Sequence, residues 1–226
     1  MTNLPALKQL SLERWHRCEI LPNRLNEVMA TGRRLCAADA KARYQGVSDR
    51  LAELAAKDPK IVVVPWWFTA IVSEREYGGP PHWNKQLGQG DDLHQISRHV
   101  PRGMGPYLDH PGDRTPGFDA WTRCCVDVLA NSPPFAARRT DWSIGGALVS
   151  WILYNGTGYE DFHHEASPYD WGATTIEQWG KYVADGRFDP HVWDTQIGCA
   201  AMLKAMMMID PTIKVDESGL PMAAAA

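Results

Sequence analysis

The chain has 226 residues, 44% hydrophobic and 22% charged, enough to bury the core of one domain or of one domain with a helical appendage. Its 23 Lys and Arg against 27 Asp and Glu give a net charge of -4, which argues against a protein built mainly to neutralise nucleic-acid phosphates. No apolar run approaches the ~18 residues of a membrane-spanning helix, so stable membrane insertion is not expected.

The N-terminal stretch MTNLPALKQLSLERWHRCEI lacks the unbroken apolar segment of a signal peptide, which leads us to expect synthesis in the cytoplasm. Five cysteines are an odd number, Cys124 and Cys125 are adjacent, and no Cys-x-x-Cys pair or Cys/His zinc spacing occurs. Buried free thiols are therefore expected rather than a disulfide scaffold. Ten tryptophans can fill a core or stack on sugar and base faces, and composition does not choose between those uses.

In chain order, residues 1–58 read as two or three polar helices packing on the main body, with Leu25, Val28, Met29, Leu35 and Ala38 at roughly helical spacing. Pro59 opens the run Lys60-Ile61-Val62-Val63-Val64, biased to extended geometry before Pro65. Pro65 then suits the first turn of a helix over residues 65–77, whose apolar side carries Trp67, Phe68, Ile71 and Val72. Gly78-Gly79-Pro80-Pro81 ends it. Residues 78–117 are irregular and rich in Gly, Pro, His and Asp, and a small β-hairpin is expected over 87–101 with Gly88 and Gly90 at its turns. Helices follow at 118–129, at 142–153 with Asp141 as its cap, at 176–185 and at 192–209. The fold class is mainly α with a small β-hairpin. The expected division is an N-terminal helical segment 1–58, a catalytic domain 59–215 and a tail 216–226.

The candidate chemistry lies in residues 71–101, IVSEREYGGPPHWNKQLGQGDDLHQISRHVP. Glu76 falls in the last turn of its helix, where the dipole disfavours negative charge, and Trp66, Trp67, Phe68 and Trp83 are near it in sequence. Both influences favour a protonated carboxyl near neutral pH, the property a proton donor to a leaving oxygen requires. Asp91 follows Gly90, and Ser97 stands six positions later, so a two-residue period would put both on one side of a hairpin, placed to hold a water. His163-His164-Glu165 lacks the spacing of a metal motif, and neither a metal nor an organic cofactor is called for.

These residues resemble the Glu–Asp–Thr triad of phage-type lysozymes, with Ser97 where that family has Thr and a longer gap from Glu76 to Asp91. Ile71-Val72-Ser73-Glu74-Arg75-Glu76 resembles the acid-bearing segment of goose-type lysozymes and lytic transglycosylases, in which the final Glu is the acid. A wider resemblance, over residues 64–205, is to a prophage and bacterial group of lysozyme-family peptidoglycan hydrolases. It is carried in order by Val64-Pro65-Trp66-Trp67-Phe68, Leu87-Gly88-Gln89-Gly90-Asp91-Asp92-Leu93, His99-Val100-Pro101, Asp141-Trp142-Ser143-Ile144-Gly145-Gly146, Tyr154-Asn155-Gly156-Thr157-Gly158-Tyr159, Ser167-Pro168-Tyr169-Asp170-Trp171 and GKYVADGR at 180–187. Asp92 replaces the usual Pro of the second string.

The resemblance implies a lysozyme-like fold with the hairpin beside a cleft. It implies an endolysin-type muramidase cutting the β-1,4 bond between N-acetylmuramic acid and N-acetylglucosamine, released to the wall through a membrane pore. Glu76 would be the general acid, with Asp91 and Ser97 assisting. Tyr154, Asn155, Tyr159, Trp171 and His99 would contact substrate. The expected partner is the peptidoglycan glycan strand, with no nucleic acid, and the expected state is a monomer. A lytic transglycosylase, a chitinase- or chitosanase-like hydrolase, and a non-catalytic phage structural or wall-binding protein are the alternatives.

Overall fold

A computed structural model describes residues 3–99, 101–110, 118–131, 136–184 and 186–216. Val100 and most of the tail expected at 216–226 lie outside the described residues. Among the described residues eight α-helices are formed: α1 Leu4–Arg17, α2 Leu25–Leu35, α3 Ala38–Ala55, α4 Trp66–Tyr77, α5 Ala120–Asn131, α6 Ile144–Asn155, α7 Pro168–Trp171 and α8 Cys199–Ile209. Two 3-10 turns and one π-turn, Tyr159–His163, join them, with a two-stranded antiparallel sheet of β1 Lys181–Ala184 and β2 Arg187–Asp189. The fold is thus mainly helical with a small β-hairpin. Among the described residues no helix is long and apolar enough to cross a membrane.

The chain divides into two compact units, Met1–Gly32 with Asp141–Ala226, and Arg33–Thr140. The sequence reading gathers residues 1–58 into one segment. Instead α1 packs on α6 in the first unit, and α3 packs on α4 and α5 in the second. The reason is which apolar face each helix offers. Leu7 of α1 is buried with Val149 and Ile152 of α6, and a Cβ on Gly145 would come within 2.9 Å of the Lys8 side chain. Tyr44, Val47 and Leu51 of α3 are fully buried, as are Phe68, Ile71 and Val72 of α4.

The hairpin stands elsewhere than expected. Lys181–Ala184 and Arg187–Asp189, not 87–101, form the sheet, and among the described residues no helix occupies the segment expected over 176–185. Gly186 at φ +68 supplies the turn, and Tyr182 pairs with Phe188 across it. Tyr159, Tyr182, His163 and Phe188 pack edge-on or stacked around it, which favours a pleated surface over a helical one. In residues 84–93 the chain forms an isolated antiparallel bridge, Lys85 with Asp92, flanked by the bonds Gln86 N–H to Asp91 O and Leu93 N–H to Asn84 O, but no strand. The helix expected over 192–209 starts later, at Cys199, because Asp194 Oδ1 accepts the Gln196 N–H in a local turn and Gly198 precedes the first helical residue.

α4 runs as the sequence implies. Pro65 precedes its first turn and Gly78, at φ +86, closes it. The N–H of Gly78 donates to Glu74 O at 2.9 Å and that of Gly79 to Ser73 O at 3.1 Å, satisfying carbonyls that the helix end would leave bare. Along its length Tyr44 Oη meets Ser73 Oγ at 2.8 Å, and Trp121 Nε1 donates to Tyr77 Oη at 2.8 Å. The last turn, which carries Glu76, is therefore held from several sides.

Candidate active site

Glu76 is half-buried, and its Oε2 accepts the backbone N–H of Gln89 at 3.0 Å. That N–H points at the helix end because the turn at 88–90 is tight. Gln89 has φ +48 and Gly90 φ +67, and a Cβ on Gly90 would stand 2.9 Å from Tyr77 Cβ and 3.2 Å from Glu76 O. Close approach of two backbones is what the Gly-x-Gly spacing permits.

Glu74, the rival acid, is engaged through one of its oxygens, while its buried Oε2 has no hydrogen-bond partner among the described residues. Its Oε1 lies 2.7 Å from Arg34 Nη2, and Arg34 Nη1 donates to Gly78 O at 2.7 Å and Pro80 O at 2.9 Å. One guanidinium thus ties the Glu74 side chain to the carbonyls that follow the helix. Glu74 Oε2 is so close to Gly79 that a Cβ there would stand 2.5 Å away.

The loop after the turn is cross-linked. Gln86, buried, donates its backbone N–H to Asp91 O and its side-chain amide to Asp92 O at 2.9 Å and Gln95 O at 2.7 Å. Asp91 closes it from the other side. Its Oδ2 accepts the N–H groups of Arg98 and His99, each at 2.9 Å, and its Oδ1 meets His99 Nδ1 at 2.8 Å. Burial pushes the Asp91 carboxyl up, but the hydrogen bonds from His99 and Arg98 outweigh it and hold the group below the usual carboxylate range. Ser97 is buried; its Oγ donates to Pro101 O and accepts the Met104 N–H at 2.9 Å. The hydroxyl thus closes a turn. The expected pairing of Asp91 and Ser97 on one face of a hairpin is not formed, because no strand exists there to impose a two-residue period.

Glu76, Asp91, Ser97 and His99 accordingly belong to one connected loop-and-helix-end system in the second unit. The remaining site residues belong to the first unit. Tyr154 and Asn155 end α6, Tyr154 half-buried and Asn155 exposed, and Gly156 follows at φ +99. Tyr159 and Trp171 do not pave a groove. Trp171 is fully buried, and Tyr159 is buried with its Oη accepting the Tyr182 N–H at 3.0 Å. Both are core residues, since a ring that wide excludes most water by packing.

Sequence reasoning misses Arg34, which lies 44 residues before Gly78 with no local motif to mark it. It also misses the donor at Gln89, a backbone group whose signal is the flanking glycines alone. Among the described residues no group of three or more His, Cys, Asp or Glu is placed to hold a metal ion. No protein-family profile matches the sequence, and no curated protein or solved structure is significantly similar to it.

Proposed function

We propose that the protein is a glycoside hydrolase that cuts the β-1,4 bond between N-acetylmuramic acid and N-acetylglucosamine in peptidoglycan, with Glu76 as proton donor to the leaving oxygen. The observation that carries this reading is the seat of Glu76. It is a half-buried carboxyl at the capped end of an apolar helix, held at 3.0 Å by the backbone N–H of Gln89. A general acid must be both held in place and reachable, and this position meets both needs. The ordered strings around it that resemble those of lysozyme-family hydrolases support the same bond as substrate, and the resemblance to a prophage group supports an endolysin role.

In the reaction, the Glu76 proton goes to the glycosidic oxygen as the bond to the anomeric carbon breaks. Water then adds to the anomeric carbon. A lytic transglycosylase, in which the sugar's own hydroxyl attacks, is the second reading, favoured by the engagement of Asp91 and Ser97 in internal hydrogen bonds.

The test is release of soluble fragments from purified sacculi by the wild type and by Glu76→Gln. The reading expects release by the wild type, little from chitosan, and a loss of at least about 100-fold in the variant with folding and wall binding intact. Full activity in Glu76→Gln contradicts it. Wall binding without turnover in the wild type would instead favour a structural or wall-binding protein.

A further inference from the structure

We propose that His99, oriented by Asp91, is the base that takes the proton of the attacking water, so that the partner of Glu76 is an imidazole and not a carboxylate. The proposal rests on the reading of Glu76 as proton donor.

Most polar atoms of the loop are already used in internal hydrogen bonds. Both Asp91 oxygens accept hydrogen bonds, from two backbone N–H groups and from the His99 ring. The Ser97 hydroxyl donates to one carbonyl and accepts from one amide. Asp91 has thus accepted three of the about four hydrogen bonds a carboxylate can take, and Ser97 has given its one proton to Pro101 O. His99 Nε2 is the ring nitrogen that Asp91 does not engage, and the His99 side chain is 62% exposed while that of Asp91 is 14% exposed. Water reaches the imidazole far more readily than the carboxylate behind it.

The tautomer follows from the same contact. An ionised carboxylate accepts and cannot donate, so the proton between Asp91 Oδ1 and His99 Nδ1 belongs to the ring. The neutral imidazole then carries its lone pair on Nε2, as a general base must. A carboxylate behind Nδ1 fixes the orientation of the ring and stabilises the imidazolium that forms. His94 is not equivalent, because its Nδ1 meets the Tyr107 carbonyl oxygen instead of a carboxylate. The carboxylate that orients the ring is close in sequence to the group that seats Glu76. The N–H that seats Glu76 belongs to Gln89, two residues before Asp91, and two residues span at most about 7 Å.

The step balances without a cofactor. The water O–H bond breaks and its proton goes to Nε2, while the oxygen lone pair forms the bond to the anomeric carbon. The glycosidic C–O bond breaks with its electron pair on the leaving oxygen, which takes the Glu76 proton. The imidazolium then returns a proton to solvent and Glu76 regains one.

The experiment is turnover of soluble peptidoglycan fragments by His99→Ala, His99→Gln and Asp91→Asn, with and without added imidazole. His99→Ala keeps the backbone N–H bonds to Asp91, and circular dichroism checks the fold. The expected result is a fall in kcat of about 100-fold in both His99 variants at unchanged KM, and a smaller fall in Asp91→Asn. Imidazole should restore part of the rate to His99→Ala and none to Glu76→Gln. Full activity in His99→Ala, a change confined to KM, a folded variant that imidazole does not rescue, or anhydro-muramic ends from the wild type overturns the role of His99 and leaves that of Glu76 standing. A wild type that does not cut the glycan removes the reading of Glu76 itself, and this proposal with it.

Discussion

Arg34 Nη2 stands 2.7 Å from Glu74 Oε1, while the other terminal nitrogen of the same guanidinium holds the carbonyls of Gly78 and Pro80. Glu74 is thereby a brace for the end of α4, and Arg34→Ala removes three hydrogen bonds at once. The side chain is partly exposed, so the expected loss is about 1–3 kcal/mol, read as a lower urea midpoint. Glu74→Gln should keep far more turnover than Glu76→Gln. A larger loss in Glu74→Gln with the fold intact would transfer the acid role to Glu74.

Gly90 is the point of closest approach between the 88–90 turn and the helix end. An alanine there meets both a left-handed backbone at φ +67 and a Cβ contact of 2.9 Å to Tyr77. Gly90→Ala should cost about 1–2 kcal/mol from the backbone conformation alone and lower kcat by displacing the Gln89 N–H from Glu76. Thermal unfolding and fragment release measure the two effects separately.

Much of this framework is legible in the sequence, for local reasons. Pro65 and Gly78 mark α4 to within a residue because a missing N–H and a positive φ are backbone demands that few residues meet. The same marks place Glu76 in the last turn of that helix. The segment 181–189 misleads because Lys181, Tyr182, Val183 and Ala184 have no decisive period, and the pairing of Tyr182 with Phe188 is a tertiary choice. The expected pairing of Asp91 with Ser97 on one hairpin face is not formed, for a related reason. Both carry the residue type that chemistry needs, but only coordinates show that backbone amides have claimed them. Trp171 and Tyr159 are aromatic in either setting, and burial alone separates core from groove.

The Asp91 carboxyl is held below its ordinary range in the folded chain, and this fixes a pH dependence. A depressed carboxylate contributes stability that is complete above its unfolded value, ~4, and is lost as pH falls through the lower folded value. Exchange protection of the Arg98 and His99 amides should therefore hold from neutrality down to about pH 4 and fall below it. Asp91→Asn should abolish that acid step. An unchanged step in the variant would assign it to another group.

Glu160 has the opposite sign. Burial raises its carboxyl, with the backbone hydrogen bonds at Glu160 and Ser167 and the Arg14 charge opposing. A carboxyl raised in the folded state favours the native chain at low pH, and that contribution is lost as pH rises through the folded value. Between about pH 4 and pH 7, Glu160→Gln should accordingly gain stability relative to the wild type, read as urea midpoints for the two proteins across that range. A relative loss over the same range would show that its pairing with Arg14 outweighs the burial of the charge.

Mass spectrometry of purified sacculi digested by the wild type and by Glu76→Gln identifies both the bond cut and the new end. The wild type should release fragments ending in reducing N-acetylmuramic acid, and the variant none. Intact glycan strands after wild-type treatment, or the same fragments at the same rate from Glu76→Gln, would remove Glu76 as the proton donor.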